Sequence, residues 1–263
     1  MTSFSNKGTE VAFGTIGDAS TSEGLFWETI NAAGVLQVPM AISVWDDGYG
    51  ISVSSKYQTT KQNISEILKG FERNEKGEGY VILKAKGWDY PALCEMYAKG
   101  IKICRDEQVP VLFHISEMTQ PQGHSTSGSH ERYKSKERLE WEVDFDCIKK
   151  MREWIISSAI ATAQECDEIE NEAKKYAQDC KKIAWSEFMT PLKNEIKEVN
   201  TMFDAISETT GQSAFIQKIK SDLNAVIDPA RKDIVVAIQK VLRLLRNESS
   251  EAKTKLQEWH SEY

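Results

Sequence analysis

No stretch of the 263 residues approaches the ~18 consecutive apolar side chains that a membrane-crossing helix needs. The N-terminus, MTSFSNKGTE, lacks the apolar centre of a secretion signal. Cysteine is scarce and unpatterned. Cys94, Cys104, Cys147, Cys166 and Cys180 form no CxxC pair and are odd in number, which predicts reduced, mostly buried thiols in a cytoplasm rather than disulfides or zinc. Basic charge is in deficit: 33 Lys and Arg against 40 Asp and Glu give a net charge of -7. That balance opposes nucleic acid or an anionic membrane as the main partner. A GxSxG serine elbow, a Walker loop and HExxH are all missing, so hydrolase and NTPase chemistry has no foothold.

What is present is organised around residues 14–52, GTIGDASTSEGLFWETINAAGVLQVPMAISVWDDGYGIS. An apolar strand, EVAFGTI, breaks at Gly17-Asp18. A helix is then expected to open on Ser20-Thr21-Ser22-Glu23, where Ser20 and Glu23 have capping-box spacing. Leu25, Thr29, Ala32 and Leu36, with Phe26, Ile30 and Ala33 beside them, repeat at helical spacing and predict one broad buried face. After Pro39, Met40 to Trp45 reads as a second buried strand ending at an acidic turn, Asp46-Asp47-Gly48-Tyr49. This is a βαβ unit with a carboxylate after each strand. Such strand ends share the ligand-binding edge of an open α/β sheet, so Asp18 and Asp47 are predicted to converge beside a phosphate-favouring helix N-terminus. Carboxylates and phosphate tolerate each other only with a cation between them, and Mg²⁺ suits that role. The chemistry alone predicts a metal–diphosphate site.

Further along, residues 52–79 read as a long loop with one helical patch, Ile64 to Phe71. Tyr80 to Leu83 is a third strand. Asp89 caps a helix with Pro91 in its first turn and a buried stripe of Leu93, Met96, Tyr97, Ile101 and Cys104. Val109 to Ile115 is a fourth strand, in which His114 is expected to be a satisfied core histidine. Strands alternating with helices predict an α/β fold, a parallel sheet with helices on both faces. From about residue 145 the composition turns charged and helical. Thr162 and Glu165 form a capping box for a helix expected to run to about Lys182, and Pro191 and Gly211 punctuate the chain beyond it. Asp228-Pro229 starts a last helix striped by Ile234, Ile238, Val241, Leu242 and Leu245.

Gly17-Asp18-Ala19, 27 intervening residues and then Asp47 in a DDGYGIS turn resemble the thiamine-diphosphate motif, in which a GDG triplet precedes an Asn-Asn pair at this spacing. The segment STSEGLFWETINAAGVLQVP is similar to the alpha subunit of the 2-oxo acid dehydrogenase decarboxylating components, above all the branched-chain (2-oxoisovalerate) type. A second match, GHSTSGSHERYKS at residues 123–135, resembles that family's loop over the cofactor diphosphate. The resemblance implies thiamine diphosphate and Mg²⁺ as cofactors. Asp18, Asp47 and the Tyr49 carbonyl would hold the metal; Gly17, Ala19 and Ser20 would line the diphosphate. Ile51 would help wedge the cofactor, and His124 and Ser125 would reach the diphosphate, His124 as the catalytic candidate. Two departures stand out: Asp47 replaces an Asn, and Trp45 sits in the cofactor-binding row where many relatives carry an Arg.

It further implies a thiamine-diphosphate module over residues 10–145 with its N-terminal part missing, and a helical extension over 146–263 toward an absent beta part. PARKDIVVAIQKVLRLLRNE looks like the connector of fused alpha–beta chains, and Met1 like an internal start. The partners implied are the beta part, which brings a Glu, and the lipoyl domain of the acyltransferase component. A pyruvate or acetoin dehydrogenase, or a truncated non-catalytic subunit, is the alternative; STSEG and the HSTS loop speak against transketolase.

Overall fold

The structure, a computed structural model, describes residues 8–124 and 130–262. It divides into two compact units, Met1–Cys166 and Asp167–Tyr263.

The first unit is built on a four-stranded parallel sheet. Its strands are β1 (Ala12–Gly17), β2 (Met40–Trp45), β5 (Val81–Lys86) and β6 (Val111–Ser116), in the order β1-β2-β6-β5. Between β2 and β5 lie a two-stranded hairpin, β3 (Tyr49–Gly50) with β4 (Val53–Ser54), and the short helix α2 (Ile64–Ile67). The longer helices are α1 (Gly24–Leu36) and α3 (Tyr90–Glu107), followed by α4 (Lys136–Asp144) and α5 (Cys147–Ser157). Strands covered on both faces read as continuous apolar runs, and the two central strands do so here. Ile42, Val44 and Leu112 point to one face, where Phe26, Ile30 and Ala33 of α1 and Ile64 of α2 meet them. Ala41, Val111, Phe113 and Ile115 point to the other, against Met96 and Cys104 of α3. The helix predicted from Asp89 is capped as expected: its side chain accepts from the Ala92 amide at 3.1 Å.

Three expectations for α1 and its surroundings need correction. The helix does not open on Ser20. The Asp18 carbonyl takes both the amide and the hydroxyl of Thr21, at 3.0 and 2.5 Å, which tightens Ala19–Ser22 into a 3₁₀ turn. Glu23 then becomes the N-cap, without a side-chain bond, so the capping box does not form. The buried face is also narrower than predicted. Phe26, Ile30 and Ala33 are buried, whereas Thr29 and Ala32 are exposed and Leu25 and Leu36 are 76% and 69% exposed. Finally, β4 falls inside the expected loop, paired antiparallel with β3 just ahead of it. The thiols are all free, but only Cys104 and Cys166 are buried; Cys94 and Cys180 are exposed.

The second unit is helical, with its own core. Thr162 and Glu165 do form a capping box: the Thr162 amide donates to Glu165 Oε2 at 2.8 Å and the Glu165 amide to Thr162 Oγ1 at 3.2 Å. The helix they open, α6 (Ala163–Ser207), passes Lys182 and carries Pro191 inside it, so the predicted stop is wrong. A proline deletes one N–H, leaving the Glu187 carbonyl on an exposed face without its usual donor. Beyond it, Leu192, Ile196, Val199, Phe203 and Ile206 are buried at helical spacing and hold the helix together. All of these but Leu192 share one core with Ile216, Leu223, Ile234, Ile238, Val241 and Leu256 of α7 (Ser213–Asn224), α8 (Arg231–Leu244) and α9 (Glu251–Ser261). The helix after Pro229 is therefore not the last.

Candidate functional site

The sheet's carboxyl edge sets the site. Gly17 and Trp45 are register partners, and the ladder continues one residue past each strand. The Asp18 amide donates to the Trp45 carbonyl at 3.0 Å and the Asp46 amide to the Ile115 carbonyl at 2.8 Å. Asp18 and Asp46 thus lie on neighbouring strand ends, with Asp47 next in the turn. Asp18 is only 6% exposed, and no side-chain donor reaches its carboxylate among the described residues. Burial, and then the charges of Asp46 and Asp47, push its carboxyl up to about 7. Asp47 is raised as well, chiefly by burial; the Tyr49 amide, Lys134 and Arg138 pull it the other way.

Behind this edge runs a buried polar chain. Asp46 Oδ2 lies 2.9 Å from His114 Nε2, and His114 Nδ1 lies 2.7 Å from Ser65 Oγ. Hydrogen positions along it follow from one fixed point. Asn63 caps α2 by accepting from the Glu66 amide, so its Oδ1 must also be the acceptor for the Ser65 hydroxyl, 2.9 Å away. Ser65 then accepts from His114 Nδ1–H, and the contact with Asp46 holds a further hydrogen. His114, 2% exposed, is the satisfied core histidine its strand position predicts.

On the other side, α4 grips the acidic turn. Arg138 Nη2 donates to the Asp47 carbonyl at 2.7 Å, and Arg138 Nε and Lys134 Nζ both donate to Glu142 Oε1, at 2.8 and 2.7 Å. Lys134 and Arg138 also sit over the Tyr49 ring, 5.0 and 5.5 Å from its centroid. Glu142 is fully buried, so removing both cations would strand a buried charge, and removing one would leave it a single partner. Beside the turn opens a groove of about 770 Å³ whose lining includes Asp46, Asp47, Lys86, Trp88, Arg138 and Trp141.

Gly17 closes β1, and Ala19 and Ser20 follow in the 3₁₀ turn, so the α-helix opens only at Gly24. Trp45, half exposed, gives its indole N–H to Ser43 Oγ at 3.0 Å. Tyr49 opens the hairpin. Ile51 sits at its bend with φ 59° and 60% exposure, a left-handed backbone that a β-branched residue rarely adopts. His124 is exposed, and Ser125 lies outside the described residues. Nothing in local patterning announced the Asp46–His114–Ser65 chain or the Arg138–Glu142–Lys134 grip. The one available signal was Arg138 and Glu142 at i, i+4 spacing.

The donor set is all oxygen, which matches a hard divalent cation. Among the described residues no three His, Cys, Asp or Glu side chains gather around one point. A third protein ligand would therefore be a backbone oxygen, as the Tyr49 carbonyl is. Two crowded carboxylates, one of them pushed up to about 7 by burial and then by its acidic neighbours, fit such an ion.

A family model described as "Dehydrogenase E1 component" matches residues 1–193. The chain is 26% identical over 164 residues to 2-oxoisovalerate dehydrogenase subunit alpha 1, mitochondrial, of Arabidopsis thaliana, covering 61% of this chain and 32% of that one. It is 23% identical to the somatic-form alpha subunit of the pyruvate dehydrogenase E1 component of Pan troglodytes (70% and 45% covered). The alpha subunit of the same component from Rickettsia bellii is also 23% identical (70% and 53%). The chain spans between about a third and a half of the length of these relatives. The family model covers well over half of the sequence, and the chain belongs to the dehydrogenase E1 component family.

Proposed function

We propose that this chain is the alpha, diphosphate-anchoring part of the decarboxylating component of a 2-oxo acid dehydrogenase complex, and that it holds thiamine diphosphate through Mg²⁺. The observation that carries this is the pairing of Asp18 and Asp47 at adjoining strand ends, with the Asp18 carboxyl pushed up to about 7 by burial and by its acidic neighbours. Family membership adds support, since the family depends on this cofactor. Asp18, Asp47 and the Tyr49 carbonyl hold the ion. Gly17, Ala19 and Ser20 present backbone to the diphosphate, Trp45 and Ile51 bound it with apolar surface, and His124 and Ser125 contact it from the 123–135 loop. Asp47 adds a charge where relatives use Asn, which tightens the ion and slightly repels the diphosphate. Thiamine diphosphate, when bound, supplies the electron sink for decarboxylation; the protein's part is to anchor and orient it.

The substrate class is a 2-oxo acid. The STSEGLFWETINAAGVLQVP segment favours a branched-chain one, and relatives named for pyruvate match at similar identity, so pyruvate is the second reading. Residues 10–145 form the cofactor module and 146–263 a helical extension toward a beta part, which supplies the activating Glu. Acyl transfer goes to a lipoyl domain, in a cytoplasmic setting. No helix among the described residues is long and apolar enough to cross a membrane.

The test is reconstitution. The chain alone is expected to bind Mg²⁺–thiamine diphosphate weakly and to turn nothing over. With a cognate beta part it is expected to decarboxylate 3-methyl-2-oxobutanoate, faster than pyruvate, in a Mg²⁺-dependent way. Turnover by the pure chain, or failure of Asp18→Asn to abolish the reconstituted activity, would overturn this assignment.

A further inference from the structure

We propose that His114 is a positioning residue for the cation site: through Asp46 it fixes the acidic turn, so that Asp46 is a strut and Asp47 the ligand. This rests on the proposed assignment of Asp18 and Asp47 to a divalent ion. It divides the work between two adjacent aspartates that the sequence alone leaves indistinguishable.

Asp46 is pinned at four points. Its amide donates to the Ile115 carbonyl at 2.8 Å, and its carbonyl accepts from the Met118 amide at 3.0 Å. Its Oδ1 accepts from the Gly48 amide at 2.9 Å, and its Oδ2 meets His114 Nε2 at 2.9 Å. Both carboxylate oxygens are thus engaged. Asp47 differs. One oxygen accepts from the Tyr49 amide at 3.0 Å, and the other has no donor among the described residues. A hard cation takes the oxygens that are not already spoken for, which selects Asp47 and Asp18.

His114 can hold Asp46 only because it is itself held. Ser65 takes the Nδ1 hydrogen and passes its own hydroxyl hydrogen to Asn63, whose acceptor is fixed by capping α2. The chain therefore ties α2, β6 and the end of β2 to one another. Ser65 and His114 are both buried, which leaves bulk water no route to replace either link. Partners that orient a metal's surroundings from behind in this way are typically worth about 10–100-fold in metal affinity.

The full chain is titrated with Mn²⁺ in the presence of thiamine diphosphate, reading free Mn²⁺ by electron paramagnetic resonance. His114→Leu is expected to weaken Mn²⁺ at least about tenfold. His114→Gln, whose amide can still donate to Asp46, should stay within about threefold, and Ser65→Ala should fall between the two. Tyr80→Phe serves as a control. It removes a buried hydrogen bond to the Ile30 carbonyl, away from the acidic turn, so it should lower thermal stability and leave Mn²⁺ affinity unchanged. His114→Leu within twofold of the parent, or His114→Gln as weak as His114→Leu, overturns the strut. If His114→Leu does not fold, Ser65→Ala at parental affinity overturns it equally. Absence of Mn²⁺ binding by the parent chain even with a cognate beta part added would instead remove the cation assignment on which the strut stands.

Discussion

Asp18 carries the most poorly compensated charge at the sheet's edge. Its carboxyl rises from 3.8 to about 7 because burial and two neighbouring aspartates oppose ionisation, while only backbone amides favour it. An acid whose folded pKa exceeds its unfolded one binds more protons when folded. Its contribution to stability is therefore most favourable below pH 4, declines as pH rises from about 4 to about 7, and stays at its lowest above that. Asp18→Asn removes the charge. Without divalent ions at pH 8 the variant should melt a few degrees above the parent, and near pH 4 the difference should vanish. Saturating Mg²⁺ should raise the parent's melting temperature more than the variant's, because the amide keeps an oxygen donor but loses the charge. Calorimetry across pH 4–8, with and without Mg²⁺, reads all three. A parent whose stability relative to Asp18→Asn does not vary with pH would mean that the carboxyl is not crowded as described.

At the scale of elements, α3 and β6 decide how firmly that edge is held, because β6 carries His114. They come close at Gly100, where an added Cβ would run into the Phe113 ring and come 2.9 Å from Leu83 Cδ1. Gly100→Ala must push the helix off the sheet or turn the ring, and overpacking of this kind costs about 1–3 kcal/mol. The urea midpoint should fall with its slope unchanged; an unchanged midpoint would mean the helix yields freely. The strands of this sheet were legible because parallel strands buried on both faces become unbroken apolar runs. The Asp89-Tyr90-Pro91 start of α3 was legible because a cap and an N1-region proline are local signals. The phase of α1 was not. Leu25, Val35 and Leu36 are as apolar as Phe26 and Ile30, so the helical period alone could not say which side faces the sheet. The start of α1 was misjudged because the Ser20–Glu23 spacing is local, whereas the Thr21 contacts that pre-empt it depend on where Asp18 is held by β2. The same distinction runs through the site. Asp18 and Asp47 could be placed from strand ends, but the bond from Asp46 to His114, 68 residues away, needed β6 to lie next to β2 rather than β5.

For the molecule as a whole, the two units draw their cores from separate stretches of chain. Phe26, Ile30, Val44, Leu112 and Phe113 belong to the first, and Phe203, Ile216, Ile234 and Ile238 to the second. Every residue assigned to the cation lies in the first unit, as do the strut and the α4 grip. Phe203 is fully buried in the second core, where it meets α7 and α8. Truncating a buried Phe to Ala typically costs about 3–5 kcal/mol, which for a helical unit of under a hundred residues is a large part of its stability. Phe203→Ala should therefore shift the unfolding of the second unit to markedly lower denaturant while leaving Mn²⁺ affinity within twofold of the parent. Hydrogen exchange at the amides of α7, α8 and α9 reads the second unit, and Mn²⁺ binding reads the first, so the two responses can be followed in one preparation. A matching loss of Mn²⁺ affinity would show that the second core stabilises the acidic turn through the chain, and the helical extension would then have to be counted as part of the cofactor site.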